Sequence, residues 1–290
     1  MGKFDGILIC TDCDGTLTNS EVQISDENSN AIKYFQEQGG RFTLATGRFP
    51  QHAYNFSDKI KVNAPVISLN GVWVYDLETE QTIGYSPMKS KEAFEVMDYI
   101  NQNWKGVWEY WLNFNGSESA CYKPLEDRFE SESLKTDIDF KKKCDTLLSQ
   151  HTTEEKKVFE YIQTVLPEET AKIVFVMPEE MLRLVQSDLK NKFGDRFNFD
   201  SSWPNGLEMQ WIESGKGKAV QLLREHLGDI KTVVCVGDYD NDLSMLKIAD
   251  ISYAVANAID EVKQVADRVT VSNNDNAIAR IVKDLDKEFK

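Results

Sequence analysis

Two short acidic clusters carry most of the chemistry this chain offers. The first, Asp12-Cys13-Asp14-Gly15-Thr16-Leu17, directly follows the apolar run Ile7-Leu8-Ile9-Cys10. Two carboxylates two positions apart in an extended segment share one face of it. Gly15 then lets the chain turn away and leaves both at a strand tip. There one carboxylate can attack an electrophile while the other handles protons. Taken alone, the pattern is equally an ordinary strand end with an Asp-Gly turn. The second cluster, Gly237-Asp238-Tyr239-Asp240-Asn241-Asp242, again follows an apolar strand and supplies Asp238 and Asp242 at helical spacing, with Asn241 beside them. Hard oxygen ligands on two strand ends of one sheet suit Mg2+, which keeps few protein ligands and leaves room for water and phosphate. Helix capping accounts for Asp240, but not for Asp12, Asp14, Asp238 and Asp242 together.

Two further segments add phosphate-binding chemistry. Leu44-Ala45-Thr46-Gly47-Arg48 ends a strand with a hydroxyl, a flexible amide and a cation, a combination that can hold phosphate oxygens. Ser214-Gly215-Lys216-Gly217-Lys218 opens a helix, where a lysine can neutralise a phosphoryl group. The spacing of a P-loop is absent. Each segment is weak evidence by itself.

The elements that must position these residues alternate between strand and helix. Strands are expected at 7–11, 41–45, 65–69, 207–212, 232–236 and 251–255. Helices are expected from Ser25-Asp26 to Gly39-Gly40, and over 217–226, 241–248, 260–266 and 277–289. That is an α/β protein built on a doubly wound parallel sheet, with ligands beyond the strand carboxyl ends. Between about Gly84 and Asp200 the pattern changes. Val107-Trp108-Glu109-Tyr110-Trp111 alternates, 172–177 reads as a strand followed by a helix, and 126–145 is charge-rich. This stretch reads as a separate α+β domain inserted into the first. Trp104, Trp108 and Trp111 read mainly as sheet or core packing, with a stacking wall over a substrate as the alternative.

The chain has 290 residues, which suits two domains. Its 48 acidic against 33 basic residues give a net charge of −15, which argues against a nucleic-acid binder and against docking on an anionic membrane. No apolar run approaches the ~18 residues of a membrane span, and the first residues lack the apolar stretch of a signal peptide. The five cysteines, Cys10, Cys13, Cys121, Cys144 and Cys235, are irregularly spaced and the histidines His52, His151 and His226 are scattered. The Cys10/Cys13 pair therefore reads as structural thiols of a reduced, cytoplasmic protein rather than a redox or zinc site.

Read together and in order, these motifs resemble the haloacid dehalogenase superfamily, and within it the Cof-like branch of phosphatases with a type IIB cap. The resemblance also rests on Leu69-Asn70-Gly71, on Met245-Leu246, and on the tail from Val255-Ala256-Asn257-Ala258 to Asn273-Asn274-Asp275. It implies a discontinuous Rossmann-like core, 1–84 with 201–290, and an inserted cap over 85–200 that governs substrate choice and opens and closes over the site. It implies that Asp12 is the nucleophile forming an aspartyl-phosphate and that Asp14 is the general acid and base. Thr46, the Gly47 amide and Lys216 would bind the phosphoryl group, and Arg48 is a further substrate-binding candidate that, like His52, fits either reach to the leaving group or a helix-surface role. Lys216 is preferred to Lys218 because the branch places its lysine directly before glycine. Mg2+ would be held by Asp12, the Asp14 carbonyl and Asp238, with Asp242 in or just behind that shell, and Asn241 and Asn70 are secondary candidates. The implied activity is hydrolysis of small phosphorylated metabolites, sugar phosphates leading, with a phosphosugar mutase or a non-catalytic binding protein as alternatives. Tyr239 and Asn276 depart from the branch, which often has a small residue and a glycine there. Substrate identity and oligomeric state stay open.

Overall fold

The computed structural model describes residues 2–56, 58–114, 118–123, 128–133 and 167–289. The chain forms two compact units, Met1–Tyr85 with Ser214–Lys290, and Ser86–Glu213. The first begins with β1 (Ile7–Thr11), buried along its whole length, as an unbroken apolar run covered on both faces requires. Helix α1 (Asp26–Glu37) starts where Ser25 Oγ accepts the Asn28 N–H, and it buries Ile32 and Phe35. β2 (Arg41–Leu44) follows, then β3 (Val66–Ser68). A hairpin of β4 (Trp73–Asp76) and β5 (Gln81–Tyr85) pairs antiparallel with β3; neither hairpin strand was expected from the sequence.

The inserted unit contains β6 (Met88–Lys89), α2 (Ser90–Asn103), β7 (Glu109–Asn113), β8 (Glu118–Lys123), β9 (Arg128–Ser133), β10 (Glu169–Thr170), β11 (Lys172–Val176), α3 (Glu179–Phe193), β12 (Phe197–Trp203) and β13 (Gly206–Trp211). Six of these strands form an antiparallel sheet in the order β12-β13-β11-β7-β8-β9. Period-two alternation turns Tyr110, Leu112, Ile173, Phe175, Phe199 and Met209 into a core with the apolar stripes of α2 and α3. The unit runs on to Glu213, past the boundary at 200 expected from the sequence. Its physical reason is the β12–β13 pairing, Phe197 opposite Trp211, which ties residues 201–211 into this sheet.

The tryptophans divide. Trp104 packs against the apolar core and its indole N–H donates to Asp188 Oδ2 at 2.7 Å. Trp108 and Trp111 are exposed, so neither enters the core, but Trp111 keeps sheet packing through Trp203, with ring centroids 5.9 Å apart. Cys144, His151 and most of the 126–145 stretch lie outside the described residues, as does the side chain of Cys121.

The chain returns to the first unit with α4 (Lys216–Leu227), β14 (Thr232–Gly237), α5 (Leu243–Ile248), β15 (Ile251–Ala254), α6 (Asp260–Val265), β16 (Arg268–Val269) and α7 (Ala277–Glu288). The sheet order is β16-β15-β14-β1-β2, parallel throughout. The order reverses between β1 and β14, whose registers run Ile7 with Thr232 to Thr11 with Val236. The two acidic clusters therefore leave neighbouring strands at the switch point, where a doubly wound sheet leaves its crevice. Cys10, Cys13 and Cys235 are free and buried. Burial, then the Asp14 charge, pushes the Cys13 thiol well up, away from the thiolate that redox chemistry needs. Among the described residues no helix is long and apolar enough to cross a membrane.

Candidate active site

Asp12 is the first residue beyond β1, and its N–H still donates to Val236 O at 2.9 Å. That last ladder bond fixes its carboxylate beside the end of β14. The next turn needs Gly15, with φ at +78°, because a Cβ there would sit 2.7 Å from Asp238 Oδ2. Thr16 closes the turn onto the second cluster, its Oγ1 donating to Asp238 Oδ1 at 2.7 Å.

Lys216 lies at the start of α4 and is 1 % exposed. Its Nζ donates to Asp12 Oδ1 and to Asp242 Oδ1, each at 2.6 Å. Asp242 is itself fully buried, and its other oxygen accepts the N–H groups of Asp238 (2.8 Å) and Tyr239 (3.2 Å). Asp12, Asp238 and Asp242 each present a carboxylate oxygen within 4.8 Å of the others.

One lysine faces three clustered carboxylates. Burial works against the Lys216 charge, but Asp12 and Asp242 more than offset it and hold the ammonium above its usual range. The excess negative charge falls on the acids. Burial pushes Asp12 well up, against the pull of Lys216. Burial and then the Asp242 charge push Asp238 up to about 7. Clustered oxygens too negative for the cation among them can serve as donors to a hard divalent ion.

The remaining expected residues gather around this centre, and the rest of the pattern explains how. Thr46 and Gly47 follow β2, and the Thr46 N–H donates to Ile67 O at 2.8 Å. Arg48 turns to Asp14, its Nε donating to Oδ2 at 2.7 Å and its Nη2 to Oδ1 at 2.5 Å. Asn241 Nδ2 donates to Asn70 Oδ1 at 3.1 Å, and both residues are buried. Leu69, Asn70 and Gly71 all have positive φ, and a Cβ on Gly71 would lie 2.3 Å from Gly215 O. This strained loop presses on the backbone that launches Lys216. His52 is half-buried near Arg48; burial, then the Arg48 charge, lowers its pKa.

Sequence reasoning left two braces undetermined. Asn257, which by sequence fits either a place near the metal loop or the cap of the next helix, donates through Nδ2 to Gly15 O at 2.8 Å and accepts the Asn273 N–H at 2.9 Å. Thr16 stood inside the first motif, but nothing in a single sequence says that its hydroxyl meets a carboxylate 222 residues away. Asn276, where the branch often has glycine, takes φ of +62°, a conformation that asparagine tolerates better than most residues.

A family model described as haloacid dehalogenase-like hydrolase matches residues 9–282. Phosphatase YwpJ of Bacillus subtilis (strain 168) is 28 % identical, over 96 % of this chain and 99 % of its own length. The 5-amino-6-(5-phospho-D-ribitylamino)uracil phosphatase YwtE of the same organism is 29 % identical, over 96 % and 97 %. The crystal structure of a haloacid dehalogenase-like hydrolase from Bacteroides thetaiotaomicron superposes with a TM-score of 0.68 at 25 % identity, covering 97 % of this chain and 99 % of that one.

Proposed function

The chain belongs to the haloacid dehalogenase-like hydrolases and is a phosphatase, and from that premise we propose that it is a Mg2+-dependent monoesterase of small phosphorylated metabolites, working through an aspartyl-phosphate on Asp12. The observation that carries this reading is Lys216, bonded at once to Asp12 and Asp242 at the end of the central strand.

Asp12 is the nucleophile: one oxygen rests on Lys216, and its other oxygen is the one to attack phosphorus. As that bond forms, the bond to the leaving oxygen breaks and Asp14 gives that oxygen its proton. Asp14 then takes a proton from the water that hydrolyses the acyl-phosphate, which restores Asp12 and releases phosphate. Thr46, the Gly47 amide and Lys216 bind the phosphoryl oxygens, donors aimed where charge must be neutralised. Asp12, Asp238 and the Asp14 carbonyl would hold Mg2+. Asp242 spends both oxygens on Lys216 and two backbone N–H groups, so it stands behind that set. The ion, when bound, supplies charge neutralisation for the phosphoryl group.

For substrates, the reading favours phosphates on a sugar or polyol hydroxyl. Its support is the relative whose name specifies a phosphate at the end of a ribityl chain. Leaving-group choice is assigned to the inserted unit. Free, buried thiols suit a cytoplasmic setting.

The test is release of phosphate from p-nitrophenyl phosphate with Mg2+. Asp12→Asn should lower it by at least 1,000-fold, on the order expected for removing a nucleophile. Full activity in that variant would sink the mechanism.

A further inference from the structure

Arg48 sits just past β2 with its main chain tied into the site. Its N–H donates to Thr46 Oγ1 at 3.2 Å, and its carbonyl accepts the Leu69 N–H at 3.0 Å. Its guanidinium is not confined in the same way. About a third of that side chain and half of the Asp14 side chain are exposed, at 32 % and 48 %.

The pairing is specific. Nε faces one oxygen of Asp14 and Nη2 the other, the two-bond fork that orients a carboxylate most firmly. Both Asp14 oxygens are thus turned to Arg48 instead of to a reacting oxygen. The group that must pass a proton to the leaving oxygen, and later take one from water, is pinned. The pair has to open in each turnover.

Two physical points indicate how it opens. A half-exposed ion pair, even a forked one, opens more readily than a buried one, because water screens it and solvates both partners once they separate. The Lys216 pairs differ, since Lys216 and Asp242 have no exposed side-chain surface and cannot part without stranding buried charge. A phosphomonoester, moreover, offers an arginine fork the same two-oxygen edge that a carboxylate does, with more negative charge. Compared with Lys216, Arg48 is therefore the cation able to change partner.

We propose that Arg48 exchanges partners: it holds Asp14 in the pair seen in the structure, moves its fork to the phosphate oxygens of an arriving monoester, and thereby frees Asp14 to reach the leaving oxygen. This rests on the reading of Asp14 as the proton-transfer group. It makes Arg48 a positioning residue for Asp14 as well as a phosphate contact. Phosphate arrival and release of the acid become one event.

A double-mutant cycle read by calorimetric binding of inorganic phosphate, with MgCl2 present and the full chain, tests the exchange. Arg48→Ala should weaken phosphate binding about ten- to a hundredfold, the usual loss for a charged hydrogen-bond donor. Asp14→Asn leaves Arg48 without its competing carboxylate and should tighten binding about tenfold. In the Arg48→Ala background, Asp14→Asn should bring little or no gain. The same gain in both backgrounds would overturn the exchange, because the benefit would then be only the loss of a negative charge.

Kinetics give a second readout. Arg48→Ala should raise KM more than it lowers kcat; a fall in kcat with KM unchanged would mark Arg48 as a fixed brace and overturn the proposal. The two layers fail separately. Undiminished hydrolysis in Asp12→Asn defeats the phosphatase mechanism, whereas an additive cycle in a protein that Asp12→Asn inactivates defeats only the exchange.

Discussion

Lys216 is the residue on which the site's charge balance turns. Replacing it with methionine keeps most of the volume but leaves Asp12 and Asp242 as buried carboxylates without a counter-charge. Breaking such a pair costs about 3–5 kcal/mol, so Lys216→Met should lower the urea midpoint by that equivalent and lose hydrolysis; an unchanged midpoint would contradict the pairing. The Asp238 carboxyl gives a pH signature. Its pKa is 3.8 as a free side chain and about 7 in the fold. A raised carboxyl contributes stability fully below 3.8 and loses it as pH rises through about 7. Metal binding favours the ionised form, so Mg2+ should raise Tm more at pH 8 than at pH 5.5. Equal increments at the two pH values would remove Asp238 from the metal set.

At the scale of elements, the loop Leu69-Asn70-Gly71 is the tightest fit in the site. Gly71→Ala forces a Cβ onto Gly215 O in a backbone conformation that costs an L-residue about 1–2 kcal/mol before the clash is counted. Both Tm and kcat should fall, with Lys216 displaced; normal kinetics in this variant would show that the loop does not support the lysine. The strands and helices that carry the acids were legible because β1, β14 and α1 announce themselves locally, by apolar runs, Ser25 and the glycines. β4 and β5 were not, since Trp73–Asp76 and Gln81–Tyr85 are short and half-buried, and so lack clear alternation. Asp12, Asp14, Asp238, Asp242 and Lys216 could be picked out by type and position. Arg48 could be picked out too, but its bond to Asp14 could not, nor could the bonds of Thr16 and Asn257, because these contacts cross the sequence. The boundary at 200 went astray for a related reason: Phe197–Trp203 belongs wherever Gly206–Trp211 pairs, and pairing is invisible in composition.

For the whole molecule the net charge is −15, and among the described residues several exposed acids are paired. Lys59 holds the Asp26 carboxyl below its usual range, Lys3 and Tyr34 do so for Asp286, and Arg268 for Glu288. Depressed carboxyls contribute stability above their unfolded values of 3.8 and 4.5 and lose it as pH falls. The urea midpoint should drop between pH 5 and pH 3, and Lys3→Gln should flatten that drop; an identical acid limb in Lys3→Gln would show the Asp286 pair to be idle. The chain's discontinuity bears on its birth as well. Lys216 follows Asp12 by 204 residues, roughly 10–40 s of translation at about 5–20 residues per second. Through that interval the central strand β1 lacks its neighbour β14, and the unit Ser86–Glu213 becomes contiguous only at its end. Asp12 meets Lys216 only as the last quarter of the polypeptide emerges, so a nascent or truncated chain carries that carboxylate without its buried counter-charge.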